Sequence, residues 1–371
     1  MTQVNKVKQL AVFGLAAIGL ACLPFIVGGT LGNSWVRTLD FALLYIMLAL
    51  GLNIVVGFAG LLDLGFIAFY AVGAYTYALL NSPHFGIFLP WWSILPVGAF
   101  LAACAGIMLR TPVLKLRGDY LAIVTLGFGE IIRIFMNNLN APINITNGPQ
   151  GVNMIAPVEI AGVSLGKSIE LFGTKINSVY LYYYLFLILC VLTVIVCSRL
   201  QHSRIGRAWV ALREDDIAAS AMGINIRNIK LLAFALGAVF GGIAGGLFAS
   251  FQGFVSPESF GLLESIMVLA MVVLGGMGHI PGVILGAILL TITPELLRDV
   301  IGPVQMAVFG KMLIDPENAR MLLFGLALIL VMLLRPEGLW PNKRRAAEFH
   351  DALDEDLPAV DSQARQEGIK G

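Results

Sequence analysis

Residues 198–230 read SRLQHSRIGRAWVALREDDIAASAMGINIRNIK, a charged segment set between two long apolar runs of the chain. Within this segment, Asp216 precedes the run Ile217–Met222, and Gly223 follows it. Because Asp is a preferred N-cap and Gly a preferred helix stop, the pattern predicts a short helix capped by Asp216 and closed by Gly223. A short helix in a polar loop between apolar runs is typical of an element to which a partner protein binds.

The composition around this loop is that of a membrane protein. Hydrophobic residues make up 58% of the chain and charged residues 13%, and the mean hydropathy is +0.85, which excludes an ordinary soluble domain. A bilayer is crossed by about 20 apolar residues in a helix. The sequence therefore predicts an all-α, polytopic membrane protein with about ten transmembrane helices, at 9–31, 35–57, 62–80, 89–109, 119–137, 179–198, 230–250, 263–278, 281–297 and 319–335.

The positions of the basic residues predict the orientation. With ten spans, most of the 24 Lys and Arg residues fall on the side of both termini, and the positive-inside rule places that side in the cytoplasm. The first apolar run could be mistaken for a secretory signal, because it follows Lys6 and Lys8 and contains Ala21-Cys22, which resembles a lipoprotein cleavage site. Because the run continues past Cys22, we interpret it as a retained anchor helix.

These patterns divide the chain into three parts. Residues 138–178 are rich in Asn, Gly and Pro, which predicts an external loop that holds a small hairpin. The end of the chain is first basic and then acidic, as expected for a solvated cytoplasmic tail. The predicted parts are an anchor helix (1–34), a transmembrane domain (35–335) with the external loop (138–178) and the cytoplasmic loop (199–229), and a tail (336–371).

Two glycine-rich stretches resemble each other. VVGFAG, which begins at Val55, is echoed by VVLGGMG, which begins at Val272, and further glycines follow both. Two apolar segments that are both interrupted by glycines are typical of a transport pathway. Close packing of helices explains the glycines equally well. The candidate residues for the pathway are Gly57, Gly60, Gly65, Gly275, Gly276 and Gly278.

Charged residues inside apolar runs form a second group of candidates. Glu130 and Arg133 are three residues apart in a predicted helix, so they can pair, either as a buried structural clamp or as part of the pathway; we favour the clamp. Asp40, Asp63 and Glu264 lie near the ends of their spans, where we expect their side chains to reach water.

The sequence holds no constellation that indicates catalysis, a cofactor or a metal site. Its four histidines are scattered, and no nucleophile-elbow or HExxH motif occurs. The stretch Gly162–Ser168, GVSLGKS, is one residue short of the spacing of a phosphate-binding loop. We therefore expect no enzyme activity from this chain, and any ATP that drives it must be bound by another chain. The net charge of +1 gives no sign of nucleic-acid binding.

Four motifs together closely resemble the LivM-type permease subunits of ABC importers for branched-chain amino acids. The motifs are RGDYLAIVTLGFGEIIR (117–133), GRAWVALREDD (206–216), QGFVSPES (252–259) and VVLGGMG (272–278), and the resemblance extends over about residues 35–340. It implies a multi-pass protein of the bacterial inner membrane. The implied partners are a second, LivH-type permease, two cytoplasmic ABC ATPases, a periplasmic amino-acid-binding protein and the lipid bilayer.

The resemblance also implies that the 199–229 loop couples ATP hydrolysis to transport. Coupling loops of ABC permeases carry the pattern Glu-Ala-Ala-x-x-x-Gly; here Ala218, Ala219 and Gly223 match it, whereas Ile217 replaces the acidic residue. We expect Arg and Trp in this loop to be exposed anchors for a partner's groove. The candidate coupling residues are Arg207, Trp209, Arg213, Asp215, Asp216 and Gly223.

Two alternatives remain open at this point. A permease of the same family can carry urea or short amides, since the permease need not set the specificity. A self-sufficient secondary transporter is the alternative from a different class. It would need ion-coupling carboxylates in mid-membrane, where only Glu130 lies.

Overall fold

The computed structural model describes residues 19–309 apart from positions 115, 117, 161, 172 and 173, together with positions 322, 325, 326, 329, 333 and 338–340. Helices dominate this part of the chain, as the hydropathy predicts. They are α1 (Gly19–Thr30), α2 (Asn33–Asn53), α3 (Ile67–Leu80), α4 (Trp91–Arg110), α5 (Asp119–Asn138), α6 (Ser178–Gln201), α7 (Arg204–Glu214), α8 (Asp216–Ala221), α9 (Ile226–Gln252), α10 (Leu262–Gly275) and α11 (Ile280–Phe309).

Among the described residues, seven helices are long and apolar enough to cross a membrane, and α1 and α3 are shorter apolar helices. The predicted third span, 62–80, is helical only from Ile67, because residues 59–66 leave the helix at Gly60, which has a φ of 68°. The predicted ninth span is longer than expected, since α11 continues to Phe309. Residues 9–18 of the first span and most of 319–335 lie outside the described residues.

The strands are short and form four antiparallel pairs. The 138–178 segment, predicted to hold one small hairpin, holds two: Glu159–Ile160 pairs with Val163–Ser164, and Ile169–Leu171 pairs with Thr174–Ile176. The first strand of the segment, Val152–Asn153, pairs instead with Phe254–Val255, which connects the segment to the end of α9. The strands are β1 (Asn81–Ser82), β2 (Ile87–Phe88), β3 (Val152–Asn153), β4 (Glu159–Ile160), β5 (Val163–Ser164), β6 (Ile169–Leu171), β7 (Thr174–Ile176) and β8 (Phe254–Val255).

The helices α2, α3 and α9 form the centre of the bundle. Their backbones approach one another closely. A Cβ atom at Gly73 of α3 would meet the carbonyl oxygen of Gly242 of α9, and one at Gly245 would meet the carbonyl oxygen of Tyr70. In a bilayer, helices associate by van der Waals packing rather than by the hydrophobic effect, so small residues at the contact allow a larger packed area. The glycines of these three helices therefore set the spacing of the core.

Asp63 lies inside the fold, so our expectation that its side chain reaches water is wrong. Its carboxylate is fully buried, accepts a hydrogen bond from the Gly65 backbone N–H at 2.9 Å and forms an ion pair with Arg110 at 2.5 Å. The Arg110 guanidinium also lies 5.4 Å and 5.1 Å from the ring centroids of Phe69 and Phe234. This pair holds the end of α4 against the non-helical segment 59–66.

Asp40 is enclosed as well, which corrects the same expectation for it, whereas Glu264 is half-buried. Asp40 is fully buried, because α6, α9, α10 and α11 pack around α2, and neither of its carboxylate oxygens has a hydrogen-bond partner in the described part of the chain. Glu264 accepts a hydrogen bond from the Tyr45 hydroxyl at 3.0 Å. The sequence places these groups near span ends, but packing with other helices decides whether they meet water.

Candidate functional site

The C-terminal end of α2 changes from α-helix to a five-residue π-helix, Ile54–Phe58. The backbone N–H of Ala59 donates to the carbonyl of Ile54, five residues earlier, at 3.2 Å, and the N–H of Leu61 donates to Val55 at 3.0 Å. A π-turn widens the helix and changes the direction of its carbonyl groups, and such turns occur frequently at functional sites. The π-turn includes Gly57, one of the predicted pathway residues.

The two glycine-rich stretches meet at this π-turn. The backbone N–H of Gly278 donates to Oδ1 of Asn53 at 2.8 Å. Gly57 lies so close that a Cβ atom on it would meet both Asn53 Oδ1 and the Gly278 nitrogen. The φ of Gly278 is 84°, a left-handed value that favours glycine. Residues predicted from two separate sequence segments thus form a single backbone contact.

Arg213 connects the 199–229 loop to the same contact. Its Nη1 donates to the carbonyl oxygen of Gly57 at 2.9 Å, and its aliphatic carbons lie against Gly60. A predicted coupling residue therefore contacts a predicted pathway residue directly, although 156 residues separate them in the chain. We refer to Asn53, Gly57, Arg213 and Gly278 as the junction.

The 199–229 loop contains two helices, α7 and α8, with well-defined ends. The Ser203 hydroxyl caps α7 by accepting from the Gly206 N–H at 3.2 Å. The cap of α8 is Asp215 and not Asp216 as predicted: Asp215 Oδ1 accepts from the N–H groups of Ile217 and Ala218 at 2.8 and 3.2 Å. Asp215 has an extended backbone, with φ −155° and ψ 115°, whereas Asp216 is already helical, and an N-cap must be non-helical.

The predicted stop at Gly223 is present. Its φ is 83°, and the chain turns there with bonds from Gly223 N–H to Ser220 at 3.0 Å and from Ile224 N–H to Ala219 at 3.1 Å. This pair of bonds is the Schellman motif, which satisfies carbonyl groups that a helix end leaves free. The ends of α8 are therefore fixed by local interactions.

Trp209 is fully buried, so the expectation that its ring is an exposed anchor is wrong. Its indole N–H donates to the carbonyl oxygen of Ile229 in α9 at 3.0 Å. Trp209 and Leu212 lie three residues apart on the inner face of α7, and this helical spacing in the sequence is a signal that could have identified the buried face. Trp209 therefore anchors α7 on α9 within the chain.

The exposed surface of the loop is different from the predicted one. Arg207 is exposed, and its guanidinium donates only to the carbonyl of His202 at 3.2 Å among the contacts of the described residues. Ile217 and Met222, which we did not predict as contact residues, are 69% and 84% exposed. These two exposed apolar side chains make α8 a candidate contact surface. The replacement of the acidic residue by Ile217 was the sequence signal that could have identified it.

The other pathway candidates lie in close helix contacts. A Cβ atom at Gly65 would meet the carbonyl oxygen of Thr125 in α5, and one at Gly275 would meet the carbonyl oxygen of Gly282 in α11. Gly276 follows α10 with a φ of 109°. For Gly65 and Gly275 these contacts fit the packing interpretation.

Glu130 and Arg133 pair as predicted, with Arg133 Nε donating to Glu130 Oε2 at 2.9 Å. Their side chains are, however, 30% and 33% exposed, so the pair is not buried within this chain. The reason is that α5 lies at the edge of the bundle, where most of its residues are not buried by the rest of the chain.

Comparison with known proteins gives consistent matches. Residues 34–332 match the sequence model of the family described as branched-chain amino acid transport system / permease component. The permease protein LivM of the high-affinity branched-chain amino acid transport system of Escherichia coli is 45% identical over 353 residues, which are 92% of this chain and 77% of LivM. LivM of Salmonella typhimurium is 44% identical over the same shares.

A second permease protein of the same system is more distantly similar. LivH of Salmonella typhimurium is 26% identical over 300 residues, 80% of this chain and 90% of LivH. No solved structure matches.

Proposed function

This chain belongs to the family of branched-chain amino acid transport permeases, and we propose that it is the subunit through which leucine, isoleucine and valine cross the inner membrane into the cytoplasm. The observation that carries this proposal is the 45% identity to LivM over 92% of the chain. The identity covers all seven helices that are able to span a membrane in the described part of the chain. Urea, short amides and self-sufficient secondary transport are not favoured, because both LivM relatives are named for branched-chain amino acids.

In the proposed complex, separate ATPase subunits supply the energy and an external binding protein delivers the amino acid. The absence of a phosphate-binding loop from the sequence supports the first part. The second permease is a LivH-type chain, and the 26% identity between this chain and LivH supports a pair of related subunits. We place the 199–229 loop, both termini and the tail (336–371) in the cytoplasm. The chain then crosses the membrane ten times, through the anchor (1–34) and the transmembrane domain (35–335).

The junction suggests how ATP hydrolysis moves the permease. When the ATPases close, they pull α8 through the exposed side chains Ile217 and Met222. Because α7 directly precedes α8 and carries Arg213, the pull reaches the carbonyl of Gly57 in the π-turn. Displacement of the π-turn separates it from Gly278 and changes access from the outer to the inner side. Trp209 holds α7 on α9, so that α7 turns about a fixed contact.

Transport by the reconstituted complex tests the proposal. Uptake of labelled leucine into proteoliposomes should require this chain, its permease partner, the ATPases, the binding protein and ATP. The chain alone should hydrolyse no ATP. Hydrolysis by the purified chain, or leucine uptake without ATPases, would contradict the proposal.

Cysteine crosslinking tests the contact with the ATPases. Ile217→Cys and Met222→Cys should crosslink to an ATPase subunit, because both side chains are exposed on α8. Lys167→Cys, in the segment that we place outside, is the control and should give no such crosslink. Absence of crosslinks from both α8 positions in an active complex would place the coupling contact elsewhere.

A further inference from the structure

A cleft of about 530 Å³ lies beside the junction. Its walls come from the segment Ala59–Leu62, from the start of α5, from the consecutive residues Leu212–Ile217 where α7 meets α8, and from Lys230 of α9. The volume is within the range of about 300–1,000 Å³ that small-molecule sites occupy. The cleft is lined in part by the 199–229 loop, which the basic residues place on the cytoplasmic side.

The lining of the cleft combines aliphatic side chains with charges of both signs. The aliphatic residues are Leu61, Leu62, Leu116, Leu121, Leu212 and Ile217. The charged residues are Arg213, Glu214, Asp215, Asp216 and Lys230. A branched-chain amino acid needs this combination: a cation for its carboxylate, an anion for its ammonium group and an apolar surface for its side chain.

Lys230 is the buried cation of the cleft. The residue is only 7% exposed, and its Nζ lies 3.7 Å from Asp216 Oδ2, which is longer than a hydrogen bond. An ammonium group has three donors, so the Lys230 ammonium is able to bind a further anion beside the Asp216 carboxylate. A carboxylate between Lys230 and Arg213 would supply that anion.

We propose that this cleft binds a branched-chain amino acid from the cytoplasm and that its occupancy inhibits transport by the product. The inference rests on the proposed function, since it takes the transported molecule as the ligand. An amino acid in the cleft contacts the start of α8 on one side and the 59–62 segment on the other. It therefore connects the coupling helix to the segment that follows the π-turn and opposes their relative movement, so that a high internal amino-acid level slows import.

The test uses complexes in liposomes that enclose the binding protein and labelled leucine, with ATP added outside, so that only molecules with external ATPases work. Unlabelled L-leucine added outside then reaches only the cytoplasmic face of these molecules. It should inhibit both ATP hydrolysis and release of the label. The keto acid of leucine, which lacks the ammonium, and isoamylamine, which lacks the carboxylate, should each require about tenfold higher concentrations because one charged contact is lost.

Variants of the cleft locate the effect. Lys230→Met removes the buried cation, and Leu62→Trp fills the apolar part; each should raise the half-inhibitory leucine concentration about tenfold or more, measured relative to its own uninhibited rate. Arg227→Met is the control, because Arg227 is an exposed cation at the start of the same helix and does not line the cleft. The half-inhibitory leucine concentration of the Arg227→Met complex should equal that of the unaltered complex.

Two sets of results would contradict the proposals, and they are distinguishable. If external leucine does not inhibit, or inhibits both cleft variants as strongly as the unaltered complex, the proposal is overturned while the transport function stands. If one variant fails to assemble, the other variant and the two analogues decide. Failure of the proposed function would instead appear as no leucine-dependent ATP hydrolysis in the unaltered complex without external leucine.

Discussion

At the scale of single residues, Arg213 connects the 199–229 loop to the π-turn that follows α2. A guanidinium that donates to a carbonyl oxygen forms a charge-assisted hydrogen bond, which is stronger than a neutral one. Arg213→Glu removes the donor and brings a negative charge towards the carbonyl of Gly57. We expect assembly to persist and substrate-stimulated ATP hydrolysis to fall about tenfold, a coupling loss of about 1.4 kcal/mol.

The control for this change is Arg204→Glu, because Arg204 is an exposed arginine at the other end of α7. It should hydrolyse ATP and take up leucine at the normal rate. Normal uptake in Arg213→Glu would show that the junction does not transmit the ATPase movement.

Charged pairs in this chain differ in how completely the fold encloses them. Arg110 and Asp63 are both almost fully buried, so Arg110→Met leaves an unpaired buried carboxylate and should cost about 3–5 kcal/mol of stability. The double change Asp63→Asn with Arg110→Met should recover part of this loss. Arg133→Met should cost less, about 2–3 kcal/mol, because Glu130 is 30% exposed in the single chain and is therefore less enclosed by protein, although an unpaired charge within a membrane span is still unfavourable.

Thermal unfolding of the purified variants, followed by size-exclusion chromatography, measures these losses. Equal losses for Arg110→Met and Arg133→Met would mean that a partner subunit buries the Glu130–Arg133 pair. In that case the exposed fraction seen in the single chain does not apply to the complex.

At the scale of elements, the end of α8 depends on one backbone conformation. A Cβ atom at Gly223 would meet nothing within 4 Å, so a side chain fits in space, but the φ of 83° disfavours it. Gly223→Val should therefore cost about 1 kcal/mol or more through backbone strain alone. We expect normal membrane insertion and reduced leucine uptake.

Gly223→Asn is the matched variant, because Asn tolerates the left-handed conformation better than other residues with a side chain. It should retain most of the uptake. If Val and Asn reduce uptake equally, the requirement at this position is for a small residue at an interface and not for the backbone conformation.

Close packing of α3 on α9 leads to a second prediction for elements. Gly73→Ala places a methyl group against the backbone of Gly242 and should destabilise the protein by about 1–3 kcal/mol. Gly98→Ala in α4 is the control, because the nearest atom to its Cβ is 3.7 Å away. Both changes raise helix propensity equally, so a difference in thermal stability reports the contact; equal stability would argue against it.

At the scale of the whole molecule, the orientation in the membrane is open to a direct test. We expect single cysteines at Lys167 and Arg207, in a chain without its four native cysteines, to lie on opposite sides. An impermeant maleimide should label position 167 from outside in intact cells. Position 207 should react only after the membrane is opened, and labelling of both positions in intact cells would contradict the proposed orientation.

The sequence by itself determined the class of this protein, the approximate positions of most spans and the existence of α8. These properties are local. Each span is a run of apolar residues long enough to cross a bilayer, and the helix stop at Gly223 depends only on the ability of glycine to adopt a left-handed backbone conformation. Even here the cap differed by one residue, because Asp215 and Asp216 are chemically the same and only the backbone angles choose between them.

The tertiary structure alone decided which distant residues meet. Arg213 contacts Gly57, Arg110 pairs with Asp63 and Trp209 turns inward to Ile229. The spacing of apolar residues within one segment does not predict these pairs, because a charge in a membrane protein is stabilised by whichever segment packs beside it. These contacts join helices that hydropathy defines locally through polar groups whose partners are brought near only by the packed bundle.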